Sequence, residues 1–194
     1  AHTPDALQTC ILNIREQFSD KHISVLFGCG GDRDKGKRSK MGKIADKYAD
    51  KIYLTDDNPR HERPKKIRDE IKRGIKKRQI IEISNRKEAI VKAINNLNTG
   101  DILIVAGKGH EKIQQIGNRK VFLSDRQIIL NSIKKKNFNL SKNLKLNIFN
   151  ERFDQNVLSS KSAINKASIN SKSVKKNDIF FAIKGKKNDG NKFV

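Results

Sequence analysis

Three loops, each behind an apolar run, hold most of the residues in this chain that could do chemistry. The first is Gly28-Cys29-Gly30-Gly31-Asp32-Arg33-Asp34-Lys35-Gly36-Lys37-Arg38. Its glycines let a backbone approach a ligand closely, and its cations suit phosphate or carboxylate. Gly31, Gly36 and Lys37 fall at the spacing of a phosphate-binding loop, but Arg38 stands where magnesium needs a Ser or Thr, and Ser39 comes one position late. The same residues also read as a glycine-rich strand-to-helix turn with solvated charges. The second loop, Asp56-Asp57-Asn58-Pro59-Arg60, offers two carboxylates, an amide and a guanidinium. That mix suits a zwitterion, because Asp accepts from an ammonium and Arg forks onto a carboxylate. It equally describes a polar turn whose Asp caps the next segment. The third loop, Ala106 to Glu111, sets Lys108, His110 and Glu111 among glycines. His110-Glu111 is no zinc motif, since no second His follows four positions on, and His2, His22 and His61 show no ligand spacing. His110 also reads as a hydrogen-bonded structural residue.

These loops need a scaffold that brings them together. Leu7, Ile11, Ile14 and Phe18 behind Pro4 predict a helix over 4–18. Apolar runs predict strands at 23–27, 51–55, 79–83 and 101–105. Between them the pattern predicts helices over 39–49, over 64–77 behind Pro64, and over 85–97 with Ser84 as N-cap. Runs at 113–116 and 121–123 around Gly117-Asn118 suggest a hairpin, and Ser124 or Asp125 caps a last helix to about Lys136. Repeated β-α-β units with short connections imply an α/β, Rossmann-like, mostly parallel sheet with helices on both faces. In such sheets ligands sit beyond the carboxyl ends of the strands, where all three loops would converge.

Composition narrows the partners. The chain has 194 residues, with 43 Lys+Arg against 21 Asp+Glu and a formal net charge of +22. Such a charge attracts anions without specifying a fold. The lysines are scattered, aromatic residues make up 6 %, and Trp is absent, so a base-stacking platform is poorly supported. A basic nucleic-acid-binding module is the competing reading, and a small P-loop nucleotidase a third. Cys10 and Cys29 form no CxxC pair and read as reduced thiols of a cytoplasmic protein, with Cys29 a small filler rather than a nucleophile. No run approaches membrane-spanning length and no signal-peptide pattern is visible. Ala1 and Val194 read as interior residues of a longer chain.

In unbroken order from residue 1 to about 135, the motifs resemble one family. Ala1-His2-Thr3-Pro4-Asp5-Ala6-Leu7 is similar to the tail of the Asp-Tyr-Ala-His-Thr-Pro-Asp motif that opens the C-terminal domain of Mur ligases. Gly28–Arg38, Asp56–Arg60, Ala106–Glu111 and Ser124-Asp125-Arg126 resemble the members of that family that add meso-diaminopimelate to UDP-N-acetylmuramoyl-L-alanyl-D-glutamate. The resemblance implies that Arg33, Asp57, Asn58, Pro59, Arg60, Gly107 and Glu111 line the diaminopimelate pocket. Asp57-Asn58-Pro59-Arg60 matches the family's signature for diaminopimelate rather than lysine. The chemistry agrees. Diaminopimelate carries a distal carboxylate that lysine lacks, Arg33 and Arg60 supply donors for it, and Glu111 supplies an anion for an ammonium. A lysine substrate would leave a guanidinium unpaired. The resemblance further implies ATP and Mg2+, held mainly by a central domain that carries the family's phosphate loop and carbamylated lysine, and an acyl-phosphate on the D-glutamate carboxylate. His2, Asp32 and Lys35 would approach the nucleotide when the domains close. The implied partners are small molecules, with no nucleic acid and no membrane insertion; the oligomeric state is not indicated.

After Lys136 the composition turns to Asn, Ser and Lys. We divide the chain into a domain over 1–136, a linker and domain start over 137–160, and a truncated β-rich α/β segment over 161–194. Asn170-Ser171-Lys172 through Ile183-Lys184-Gly185, with Asp189-Gly190, resembles the UDP-sugar-binding N-terminal domain of a second Mur ligase, of the D-alanyl-D-alanine-adding kind. That pattern usually begins Asp-Ser/Thr-Arg, so Asn170-Ser171-Lys172 departs from it.

Overall fold

Strand β1 (Ile23–Phe27) is buried at every position. A central parallel strand with helices on both faces must be buried in this way. The computed structural model describes the backbone of residues 1–143 and of the dipeptides 167–168 and 179–180, and side chains as far as residue 137. β1 pairs in parallel with β2 (Lys51–Leu54) on one side and β4 (Ile102–Val105) on the other, and β2 pairs with β3 (Ile80–Glu82). The order is β3-β2-β1-β4, all parallel. This is the expected α/β architecture.

Alternation along the strands divides the core. Ile23, Val25 and Phe27 face one layer, where α1 (Pro4–Gln17) contributes Leu7 and Ile11, α2 (Gly36–Tyr48) Met41 and Ala45, and α3 (Pro64–Lys72) Ile67 and Ile71. Leu26 and Tyr53 face the other, against Ala89, Ile90, Ala93 and Ile94 of α4 (Arg86–Asn95). Each buried Leu or Ile side chain contributes about 1.5–3 kcal/mol. The register follows, because a one-residue slip would exchange the two faces.

Local chemistry moves several expected boundaries. α2 starts at Gly36 rather than Ser39, because the Asp34 carboxylate accepts the Gly36 N–H at 2.7 Å and satisfies an end donor there. α3 stops at Lys72, short of Lys77, and tightens into i→i+3 bonds at Gly74 and Ile75. The cap of α4 is Asn85, whose side chain accepts from the Glu88 N–H at 3.2 Å; the carbonyl of Ser84 instead receives the Thr55 hydroxyl. β5 (Ile113–Ile116) and β6 (Arg119–Phe122) form the hairpin, with β6 starting directly after Gly117-Asn118. Gly117 has φ 57°, so the two-residue turn follows the twist of the strands and leaves no gap before Arg119. α5 (Asp125–Asn143) runs past Lys136, because no breaker interrupts 137–143. The expected linker therefore begins inside a helix.

By its contacts the chain divides into Ala1–Ser132 and Ile133–Val194. In the second unit the described strands β7 (Ala167–Ser168) and β8 (Ile179–Phe180) pair in parallel. Asn170-Ser171-Lys172 and the rest of the expected sugar-binding segment lie outside the described residues.

Candidate functional site

The three loops meet at a cavity of about 400 Å³ beyond the carboxyl ends of β1, β2 and β4. Gly28, Cys29, Gly30 and Arg33 line it from the first loop, with Lys37 of α2. Asp57, Asn58 and Arg60 line it from the second, and Gly107 and Glu111 from the third. His2 completes it from the segment before α1. Of the residues singled out in the sequence, Asp32, Lys35 and His110 are not among the lining residues. Pro59 acts beneath the surface: its carbonyl accepts the Glu62 N–H at 3.0 Å.

That carbonyl also explains Gly31. A Cβ on Gly31 would sit 1.9 Å from the Pro59 oxygen, closer than any real contact, so the first two loops touch backbone to backbone. Gly31→Ala is expected to destabilise the fold by about 1–3 kcal/mol through forced backbone shifts, measured by urea unfolding. An unchanged midpoint would show that the loops can part freely.

Asn58 is the hub of the site. Its backbone carbonyl accepts the Gly31 N–H at 2.9 Å, its side-chain oxygen accepts the Gln115 N–H at 2.9 Å, and its amide donates to Glu111 at 2.8 Å. One residue thus ties all three loops and β5. Arg60 adopts a positive φ of 51°, a conformation sparsely used outside glycine. It is held there because its N–H donates to Gln115 O and its own carbonyl accepts the Gly117 N–H. The Arg60 guanidinium donates to the Gly31 carbonyl at 2.7 Å, which aims it while leaving other donors for a ligand. Arg33 is exposed and makes no hydrogen bond or ion pair with any described residue.

Four of the loop residues lie elsewhere than on the cavity wall. Arg38 is fully buried and cannot meet a ligand: it donates to both Glu62 oxygens, to Glu70 and to the Gly30 carbonyl. Asp56 is spent on Arg68, which leaves Asp57 as the carboxylate of the second loop that faces the cavity. Asp32 turns away to His61, at 2.8 Å. Lys35 immediately precedes α2 and stays at the surface. The Walker-like spacing is therefore a coincidence, and the hydroxyl missing at position 38 is replaced by a buried structural cation.

Burial sets the electrostatics. It pushes the Cys29 thiol up to about 12, which keeps it protonated and unreactive. It also raises the Asp57 carboxyl, opposed by the nearby charges of Arg86 and Lys108. Lys108 is buried, donates to the Ile113 carbonyl and lies 3.6 Å from Glu111. Arg86 is fully buried and makes a two-pronged pair with Asp125, at 2.9 and 2.7 Å. Sequence reasoning passed over the structural roles of Arg38, Arg86 and Lys108, because among 43 cations nothing local marks the few that are buried.

A clasp crosses the rim. His61 joins Asp32 through Nδ1 and Asn118 through Nε2 at 3.3 Å, linking the first two loops to the hairpin turn. The Asp32 hydrogen bond, then Asn118, raise the His61 pKa above 6.5. A raised folded-state pKa gives stability that is present below 6.5 and lost as pH rises through the folded value. The Asp32 and Asn118 amide resonances are thus expected to titrate together with a midpoint above 6.5, and to stop doing so in His61→Ala. Independent midpoints would break the clasp reading.

Fold and site together define a Rossmann-like α/β domain whose strand ends carry a polar cavity lined by both charge signs. A family profile described as "Mur ligase, glutamate ligase domain" matches residues 1–109. A protein of Rickettsia rickettsii named UDP-N-acetylmuramoyl-L-alanyl-D-glutamate--2,6-diaminopimelate ligase is 55 % identical over 135 residues, 69 % of this chain and 28 % of that protein. One of the same name from Buchnera aphidicola subsp. Baizongia pistaciae is 47 % identical over 142 residues, 73 % of this chain and 28 % of its own length. A solved structure of a ligase with that name superposes with a TM-score of 0.66 at 38 % identity, over 70 % of this chain and 28 % of that one. The chain belongs to the Mur ligase family. It spans little more than a quarter of the length of these relatives.

Proposed function

We propose that residues 1–136 are the amino-acid-binding domain of an ATP-dependent amide ligase that adds meso-diaminopimelate to UDP-N-acetylmuramoyl-L-alanyl-D-glutamate in bacterial peptidoglycan precursor synthesis. One observation carries this reading: Arg33, Arg60, Asp57 and Glu111 line a single cavity, with Asn58 holding Glu111 in place. Diaminopimelate has two ammonium and two carboxylate groups. Arg33 and Arg60 receive a carboxylate, Asp57 and Glu111 receive one ammonium, and the other amine is left free to attack the acyl-phosphate, from which phosphate leaves. Holding the amino acid by paired charges in fixed geometry lowers the entropic cost of the attack. The names of the relatives support the same substrate. A nucleic-acid module fits less well, because a cavity with two carboxylates repels phosphodiesters.

Among the described residues no group of three or more His, Cys, Asp and Glu is placed to hold a metal ion, and Arg38 is committed to Glu62 and Glu70. We assign nucleotide and metal mainly to residues outside this stretch, with Asp32 and Lys35 approaching the nucleotide when the domains close, and ADP release is expected to need those outside residues. His2 lines the amino-acid cavity, and its proposed place near the nucleotide holds only if the cavity and nucleotide adjoin. For residues 161–194 we keep the reading of a second, D-alanyl-D-alanine-adding ligase beginning after a connecting stretch over 137–160, supported by its motif resemblance; the length of the polypeptide made in the source cell tests that fusion. The substrate reading is tested by calorimetric titration of the chain with meso-diaminopimelate. Saturable one-to-one binding is expected, and its absence would end the reading.

A further inference from the structure

Arg86 occupies the first turn of α4, away from the motif loops, yet its side chain is fully buried. It runs behind the third loop, donating to the Ala106 carbonyl at 2.9 Å and forking onto Asp125, the first residue of α5. This joins the starts of two helices to the end of β4. Three of its five N–H groups are thereby used, and Nη1 is buried with no partner among the described residues. Gly107 lies between this guanidinium and the cavity. A Cβ on Gly107 would stand 2.4 Å from Asp57 Oδ2 and 3.7 Å from Arg86 Nη2, so the carboxylate and the guanidinium flank the same point without forming a direct ion pair. Gly107 itself has φ 108° and donates to the Ala1 carbonyl at 2.8 Å, which holds it in that gap.

We propose that Arg86 and Asp125 form a positioning pair for the cavity: Asp125 fixes the guanidinium, and the guanidinium holds the negative charge of Asp57 at the cavity floor, ready for an ammonium. The geometry explains why a fully desolvated arginine is worth keeping. A buried pair that served stability alone could be replaced by apolar side chains at little cost. Here the cation sits behind a buried carboxylate that burial would otherwise neutralise. The other charged or titratable groups around Asp57 are Lys108 and Glu111 of the third loop, Arg60 of its own loop, Arg33 and Cys29 of the first loop, Lys37 of α2 and His2. Of these, Lys108 has its Nζ committed to Ile113 and Glu111, and Arg33 is open to solvent. Arg86 is thus the buried cation that bears most on Asp57, ahead of Lys108.

The assignment of an ammonium ligand rests on the diaminopimelate reading, but the coupling does not, and it can be read without ligand. The test is a carbon-13 NMR titration of the Asp57 carboxyl in the 194-residue chain. Arg86→Met is expected to raise the Asp57 midpoint by about one pH unit or more. Mere loosening of the loop would instead admit water and lower the midpoint toward the ordinary carboxyl value. A midpoint that stays or falls in Arg86→Met overturns the proposal. Asp125→Asn gives a second arm should Arg86→Met unfold: the amide oxygen and the Ala106 carbonyl still hold the guanidinium while its neutralising charge is gone, so the Asp57 midpoint falls, and an unchanged or higher value overturns the proposal. In the complete ligase, Arg86→Met raises the diaminopimelate KM at neutral pH about tenfold, more than it lowers kcat, and the loss shrinks as pH rises. If the NMR shifts appear without this KM effect, the substrate reading fails and the coupling stands.

Discussion

L-Lysine is expected to be used by the complete ligase about a thousandfold less well than meso-diaminopimelate, somewhat below the roughly 10⁴–10⁵ that a site built for a polar group achieves against an analogue that lacks it. The two molecules differ by one carboxylate. In its absence Arg60, anchored to the Gly31 carbonyl, keeps donors pointing into an empty volume, and the two cations lose their counter-charge. The factor is not larger because Arg33 is exposed, and water can replace the lost carboxylate there. The comparison is made as kcat/KM for both amino acids at saturating ATP. A ratio below ten would remove the carboxylate from the arginines. The same logic separates the two cations. Arg60→Ala should raise the diaminopimelate KM sharply and leave the ATP KM alone, with some loss of stability because the guanidinium also holds the Gly31 carbonyl. Arg33→Ala should raise the same KM with no loss of stability, since its side chain holds nothing else in place. Equal losses in amino-acid and ATP affinity would sink both roles.

Arg38→Met is expected to destabilise the Ala1–Ser132 unit by about 3–5 kcal/mol, the cost of stranding buried charge when one partner is removed. Arg38 is inaccessible, and its two carboxylate partners, Glu62 and Glu70, are each 14 % exposed. Without the guanidinium the two anions repel each other, and the Gly30 carbonyl loses its donor. The melting temperature should fall by roughly 10 °C. Adding Glu62→Gln and Glu70→Gln should recover a good part of this, because neutral amides at the same positions no longer repel. A fall of less than one kcal/mol in the single variant would show that water already reaches the cluster. Its pH dependence has a definite sign. The Arg38 hydrogen bonds, followed by the Asp32 N–H, depress Glu62 to about 2. A depressed carboxyl gives stability that is fully present above about 4.5 and lost as pH falls through the folded value. Acid should therefore loosen the contact between the first two loops before the strands come apart.

These two predictions concern neighbours in one loop that the amino-acid order alone could not tell apart. Arg33 and Arg38 both belong to the glycine-rich stretch, and both read as cations for an anion. The structure exposes one and buries the other. The reason is helical geometry: α2 begins at Gly36, so Arg38 falls on the face turned toward α3 and the Glu62 segment, while Arg33 stays in the loop before the helix. The early start of α2 and the burial of Arg38 escape the sequence for one reason, since the hydrogen bond from the Gly36 N–H to the Asp34 side chain is invisible to hydrophobic periodicity.

Much else was written locally. Five-residue apolar runs, proline at helix starts and turn residues after each strand depend on near neighbours in the chain, so they specify β1, β2, β4, α1 and the order of the layers. The same locality placed Asp57, Asn58, Arg60, Gly107 and Glu111 in loops that a parallel sheet must gather at one edge. Tertiary structure alone decided which charges face one another across that edge. Asp56 went to Arg68, Asp32 to His61, and Arg86 to Asp125, over sequence separations of 12, 29 and 39 residues. Such pairings follow from packing and desolvation, which reward a charge only once its partner has been brought to it. The amino-acid sequence by itself determined the scaffold and the chemical types at its edge; the fold decided which of them are spent on the scaffold and which remain for a ligand.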